Sequence, residues 1–411
     1  MLPRSTRAVA GLAVALAATC SATTRADQYA APASLDEATF LKRVLDQSPR
    51  RRALDERRTA ARAQIGVASV LPNPTLSYER EAIPGLDASD DFLRLGWTID
   101  LSGRRGLAGA AARAGADAER LEVDREALLL QIDARLAYLD AAFARELLAR
   151  LDTARVPLAE LVDTLRSRSR QGDASSYDAD RAALELDGLD DERATARRLL
   201  ETARLRLGAL VGEPGVTYDA ADPLALPAKP ADSTGTPQRA DVAAALARAS
   251  QADRELAAAR RSWIPRLELV AGMMSSSSTS GDGLGYIVGI GGDVPLFNAG
   301  GAAADRSRAE AKRWRSEAAA LANDAHAERE QARRDLALRL EQAERYLAGP
   351  ATRAADLQRR ATVAYREGDR PILELLDVQR SARHAAVRAL ELVYEARRAE
   401  LALRRALGSD R

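Results

Sequence analysis

Two regions of the chain alternate between apolar and polar residues. From Phe92 to Leu101, Leu93, Leu95, Trp97, Ile99 and Leu101 fall on one side, and Arg94, Gly96, Thr98 and Asp100 on the other. Leu267, Leu269, Ala271 and Met273 alternate with Glu268, Val270 and Gly272, and Tyr286, Val288, Ile290, Val294 and Leu296 alternate with Ile287, Gly289, Gly291 and Asp293. A period of two predicts strands with one apolar face. The expected strands are Thr75 to Ala82, Phe92 to Leu101, Leu267 to Ser275 and Tyr286 to Leu296. The turn-rich stretch Ile83 to Asp91 should join the first pair, and the Ser-rich stretch Ser275 to Gly285 the second.

Elsewhere the pattern has a helical period, as at Leu121, Leu128, Ile132, Leu136 and Leu139, with charge on the remaining faces. It predicts helices from Leu35 to Val70 (stopped by Pro72), Gly103 to Arg170, Tyr177 to Val211, Asp241 to Trp263, Ala302 to Glu367 and Ile372 to Leu407. At ~1.5 Å per residue the second is about 100 Å long, far more than a globular domain uses. The simplest geometry sets each very long helix beside two shorter ones stacked end to end. Pro157 and Gly349-Pro350 are expected to kink or interrupt the long helices.

The order of elements occurs twice. Pro74 and Leu76 recur as Pro265 and Leu267, Leu101 as Leu296, Gly172-Asp173 as Gly368-Asp369, and Gly212 as Gly408. The expected organisation is a signal at 1–26 and a first repeat at 27–237, with a hairpin at 75–101 and a helical pair at 103–211. A second repeat occupies 238–411, with a hairpin at 267–296 and a helical pair at 302–408. Gly212 to Pro237 reads as the connector.

The first residues change the picture. Arg4 and Arg7 precede an apolar run from Ala8 to Ala18 and then small residues, which is the pattern of an export signal cut after Ala26. That run is shorter than the roughly 20 residues that span a bilayer, and no later segment is apolar enough to do so. Cys20 offers a second reading as a lipidation site. An exported chain without a membrane helix can span a membrane only by strands, and four strands close no barrel, since about eight are needed. An open edge in lipid leaves backbone groups unpaired. Spanning strands therefore require several copies to share one wall; the alternative is an amphipathic sheet lying on the helices.

Composition removes other classes. The 411 residues carry 61 Lys and Arg against 60 Asp and Glu, a net charge of +1 that becomes −2 once the signal is lost, so no nucleic-acid partner is indicated. One Cys and two His exclude a Cys-based zinc site, a disulfide framework and a His-rich metal site. His326 and His384 lie in helical stretches with no nucleophile nearby, and no Gly-rich phosphate loop follows a strand. No catalytic, cofactor-binding or metal-binding residue is assigned, and the chain does not read as an enzyme.

The doubled pattern, with Leu71-Pro72-Asn73-Pro74-Thr75-Leu76, Val294-Pro295-Leu296-Phe297-Asn298-Ala299-Gly300, Ala364-Tyr365-Arg366-Glu367-Gly368 and Glu374-Leu375-Leu376-Asp377-Val378-Gln379-Arg380, resembles the TolC-like outer-membrane efflux family. The resemblance implies a mainly helical chain with a small β part and a homotrimer. Four strands per chain would build a shared twelve-stranded transmembrane barrel, and long antiparallel helices a periplasmic tunnel. It implies the outer membrane of a Gram-negative bacterium, contact with outer-membrane lipid, and a passive duct. The implied partners are a periplasmic adaptor (membrane fusion) protein and an inner-membrane pump of the RND type. Ser102-Gly103-Arg104-Arg105 and the Glu374 to Arg380 run look most like the members that export heavy-metal cations. Export of drugs, solvents or proteins is the alternative, and a periplasmic coiled-coil adaptor or scaffold a further one.

The same resemblance places the periplasmic tip at the turns of Gly172 and Gly368. It implies that Asp178, Tyr365, Arg370, Glu374 and Asp377 are gate and acidic-ring positions, although Pro371 stands where a small polar residue is usual. Inward carboxylates repeated by symmetry attract cations, and an Arg–carboxylate bond between neighbouring helices can latch a closed tip. Arg370 can also pair with Glu374 on one helix face. The alternative is a set of solvated charges at helix starts.

Overall fold

The computed structural model describes residues 32–82, 88–173, 175–229, 238–278 and 281–409. The expected signal at 1–26, with Cys20, lies outside the described residues. In chain order the elements are β1 (Ala33–Leu35), α1 (Glu37–Gln47), α2 (Pro49–Ser69), β2 (Thr75–Ala82), β3 (Ser89–Ile99), α3 (Arg104–Gln171), α4 (Ser176–Val211) and β4 (Tyr218–Ala220). There follow α5 (Ala240–Ala259), β5 (Arg266–Ser278), β6 (Gly281–Asp293), α6 (Gly301–Tyr346), a π turn (Leu347–Ala351), α7 (Thr352–Arg366) and α8 (Ile372–Leu407).

The 68 residues of α3 run unbroken for about 100 Å at ~1.5 Å per residue. Its buried positions are dominated by alanine, among them Ala111, Ala114, Ala118, Ala127, Ala134, Ala137 and Ala141. Small side chains at spacings of three and four let neighbouring helices approach closely along a narrow stripe. α3 packs against α2 and α4 of its own half and against α5 and α8 of the other, while α6 packs against α5 and α8. The core is therefore strung out along the helices. One cluster joins Phe40, Val44, Tyr138, Leu207, Val211 and Tyr218; another, nearer the tip, joins Leu158, Val162, Leu165, Leu189, Ile372 and Leu376.

Several sequence expectations are corrected. The first helix is two: α1 ends at Gln47 and α2 begins with Pro49 in its first turn. Proline has no N–H to donate and its ring crowds the preceding turn, so the helix restarts there. Ser48 at the break is buried, and Gly212 lies against Pro49. Two short strands were not anticipated: β1 and β4 pair in parallel, Ala33 with Tyr218 through Leu35 with Ala220. The Ser-rich stretch is not a loop. Ser275–Ser278 continue β5, paired with Leu284 through Gly281, because small hydroxyl side chains do not interrupt a backbone ladder.

The two interior prolines behave differently. Pro157 is accommodated within α3, whereas Gly349-Pro350 sits in the π turn between α6 and α7. A widened turn accepts a residue that cannot complete the regular bond, and Thr352 Oγ1 donates to the Leu347 carbonyl there at 3.0 Å.

Candidate functional site: the sheet and the helical tip

The four long strands form one antiparallel sheet in the order β2-β3-β5-β6. Its central pairing joins the two halves, with Leu93 opposite Met273, Leu95 opposite Ala271 and Trp97 opposite Leu269. Registers on either side extend these rows. Leu76, Leu95, Ala271 and Val288 form one row across the sheet, and Tyr78, Leu93, Met273 and Tyr286 the next. These side chains are largely open to the surroundings, with Tyr286, Val288 and Ile290 at 87%, 79% and 76% exposure. None of the described residues covers this apolar face.

The other face is mostly small or polar, with Val270 and Ile287 set among it. Gly96, Gly272, Gly289 and Gly291 lie on it with Thr75, Thr98 and Glu268. Arg94 Nη1 donates to Glu79 at 2.6 Å and Arg266 Nη2 to Asp293 at 3.0 Å, so four of its charges form two pairs along the sheet. A sheet apolar on one side and glycine-rich and polar on the other can separate lipid from a water-filled interior. β2 and β6 are the edges, and each presents a row of unpaired backbone donors and acceptors.

At the opposite end of the helices the two tip turns have the same geometry. Gly172 and Gly368 adopt left-handed backbone at φ 85° and 79°. Asp173 N–H donates to Arg168 O and Asp369 N–H to Ala364 O, both at 2.9 Å, the bond pattern that closes a helix end. The starts of the return helices differ. Ser175 Oγ accepts from Tyr177 N–H at 3.2 Å, whereas α8 begins at Pro371 with no side-chain cap.

Asp178 lies in the first turn of α4 and Glu374 in the first turn of α8. Arg370, in the turn just before α8, has Nη1 3.3 Å from Glu374 Oε2, and both side chains are exposed. Among the described residues no ion pair links Arg370 to α4. Asp377 is exposed, one turn beyond Glu374. Tyr365 is half-buried against the cluster nearest the tip. Burial raises the pKa of its hydroxyl, with Arg168 lowering it and Asp178 raising it further.

The ion pairs that join the hairpins lie higher and were missed. Arg380 Nε donates to both carboxylate oxygens of Glu185 at 3.1 Å, and Arg383 Nη2 approaches the same carboxylate at 3.3 Å. The signal available was Arg380 itself, three residues after Asp377 and so on the same helix face. The hydrogen bonds from Arg380 hold the Glu185 pKa below the usual carboxylate range despite burial. Among the described residues no group of His, Cys, Asp or Glu is placed to hold a metal ion, and no helix is long and apolar enough to cross a membrane.

Residues 237–409 match the family model for outer membrane efflux proteins. No curated protein matches the chain. Solved structures share its fold along nearly its whole length. CusC, described through folding and transmembrane channel formation, superposes with a TM-score of 0.77 at 20% identity, over 92% of this chain and 94% of CusC. The CmeC outer membrane channel of Campylobacter jejuni has a TM-score of 0.77 at 17% identity, over 90% and 85%. The outer membrane protein VceC of Vibrio cholerae has 0.73 at 18%, over 91% and 96%.

Proposed function

We propose that this chain, whose residues 237–409 match the family model for outer membrane efflux proteins, is a member of that family and one third of a trimeric export duct. It lies in the outer membrane of a Gram-negative bacterium with its helices in the periplasm, and it conducts rather than catalyses.

The observation that carries the trimer is the open sheet. β2 and β6 are unpaired edges of four strands whose apolar face is uncovered. In lipid those edges must be satisfied, and pairing β6 of one copy with β2 of the next does so without any other element. Three copies give a twelve-stranded wall with the glycine-rich face inward. Residues 27–237 and 238–411 then act as two versions of one unit, so the tunnel below has a quasi-six-fold wall. Cysteine pairs scanned along β2 and β6 are expected to cross-link into a ladder that ends at three chains, and the purified protein to conduct in planar lipid. A folded monomer without conductance overturns the reading.

The cargo reading is heavy-metal cations, delivered by a periplasmic adaptor and an inner-membrane pump of the RND type. It is supported by the Ser102-to-Arg105 and Glu374-to-Arg380 motifs. Metal sensitivity of a deletion strain tests it; sensitivity to drugs or solvents alone points to the alternative cargo. The tip supplies the gate, with Asp178, Glu374 and Asp377 as symmetry-repeated carboxylates that favour cations, and with Tyr365 and Arg370 holding the closed arrangement.

A further inference from the structure

Between the two helical hairpins, about four turns above their tips, lies a cavity of about 550 Å³. Its volume falls in the range of small-molecule sites. Much of its wall is apolar, from Ala154, Pro157 and Leu158 of α3 and from Ala382, Ala386 and Val387 of α8. Two guanidiniums, Arg150 and Arg383, and two carboxylates, Glu146 and Glu185, complete the part that concerns charge.

The carboxylates have nearer donors than the guanidiniums of the wall. Glu146 Oε1 accepts from Leu224 N–H at 2.6 Å, while Arg150 is 3.9 Å from Glu146 Oε2. Glu185 is held by Arg380, which leaves Arg383 with three long contacts, Nη1 and Nη2 to Glu185 at 3.4 and 3.3 Å and Nη2 to Glu192 at 3.4 Å. The Arg383 side chain is only 9% exposed, and its Nε has no partner among the described atoms. A guanidinium carries five N–H donors, and a buried donor left without an acceptor is costly. The cavity thus combines an apolar volume with one buried cation that has an unpartnered donor, Arg383, and one half-exposed cation, Arg150, whose only carboxylate contact among the described residues is at 3.9 Å.

We propose that this cavity binds a small anionic amphiphile, a carboxylate with an aliphatic tail. The head group meets Arg383 and Arg150, whose planar forks match a carboxylate, and the tail lies along the alanines and Pro157. A molecule seated there touches α3, α4, α7 and α8 together and so ties the two hairpins.

The test uses the full chain in lipid nanodiscs, with labelled dodecanoate measured by equilibrium dialysis against empty nanodiscs. Saturable uptake of one dodecanoate per chain is expected, with dodecyltrimethylammonium, a cation of matching tail length, failing to compete. Arg150→Gln, on a half-exposed side chain, is expected to weaken binding roughly tenfold, the scale of one charge-assisted bond. Ala386→Trp fills the cavity and is expected to abolish binding. Should Ala386→Trp fail to assemble, Arg150→Gln still decides. Uptake no greater than in empty nanodiscs, as for a cavity holding only water, overturns the proposal. So does equal binding of the cation, or unchanged affinity in both variants.

Discussion

Glu185 on α4 and Arg380 on α8 clasp the two hairpins together, with Arg380 Nε 3.1 Å from both oxygens of a carboxylate whose side chain is only 11% exposed. Arg380→Ala leaves that carboxylate with one poorly placed guanidinium. A loss of about 1–3 kcal/mol in unfolding free energy is expected, read from denaturant unfolding.

The same pair sets a pH dependence. Because the folded pKa of Glu185 is depressed, its contribution is fully present above the unfolded carboxylate value of about 4.3 and is lost as pH falls through the folded value. Melting curves of the native chain are expected to show this acid-side loss, and those of Arg380→Ala to show less of it. Parallel acid-side loss in both would sink the assignment.

Tyr138 anchors the connector to α3. Its hydroxyl lies 2.9 Å from Leu35 O and from Asp222 Oδ2, and accepts from Ala221 and Asp222 N–H at 3.1 Å. Tyr138→Phe removes the acceptor for two part-buried amides. A destabilisation of about 2 kcal/mol is expected, with faster hydrogen exchange at residues 221 and 222.

The tip glycines isolate a backbone effect. Nothing lies within 4 Å of a Cβ added at Gly172 or Gly368, so Gly→Ala at either costs only the left-handed backbone, about 1–2 kcal/mol. The two variants are expected to fall equally in a stability measurement. At Gly208 an added Cβ runs into the Val216 carbonyl, and Gly208→Ala is expected to cost more than either.

The sheet faces can be told apart by one charge. Ile290→Arg on the apolar face is expected to cost roughly 2–4 kcal/mol in lipid and to cut the yield of membrane-inserted protein. Gly289→Ser, one residue away on the small face, is expected to leave it intact, since its nearest neighbour is Val270 Cβ at 3.9 Å. Equal loss in both would contradict a lipid-facing assignment.

Much of this was legible because long amphipathic elements repeat one local rule many times. Alternation at Leu93, Leu95 and Trp97 identified β3, and Gly172 and Gly368 marked turns that only glycine adopts cheaply. What escaped depended on contacts made at a distance. β1 exists only because Tyr218–Ala220 comes to lie beside it, and the Ser-rich strand is ordered by its partner rather than by its own propensity. The break at Pro49 was a local signal that was passed over. At the tip, sequence supplied residue types, but that Arg370 turns to Glu374 while Arg380 reaches across to Glu185 depends on helix rotation, which one periodic pattern does not fix.

The two edge strands are unequal, with 8 residues in β2 and 13 in β6. At roughly 3.3 Å per residue the first reaches about 26 Å and the second about 43 Å. In the proposed trimer a seam between copies is only as tall as its shorter lip, and β2 cannot lengthen backwards because Pro72 and Pro74 withhold the donors a ladder needs. In that assembly the surplus of β6 ends in water, and the height of the sealed wall is set by the least conspicuous strand in the sheet.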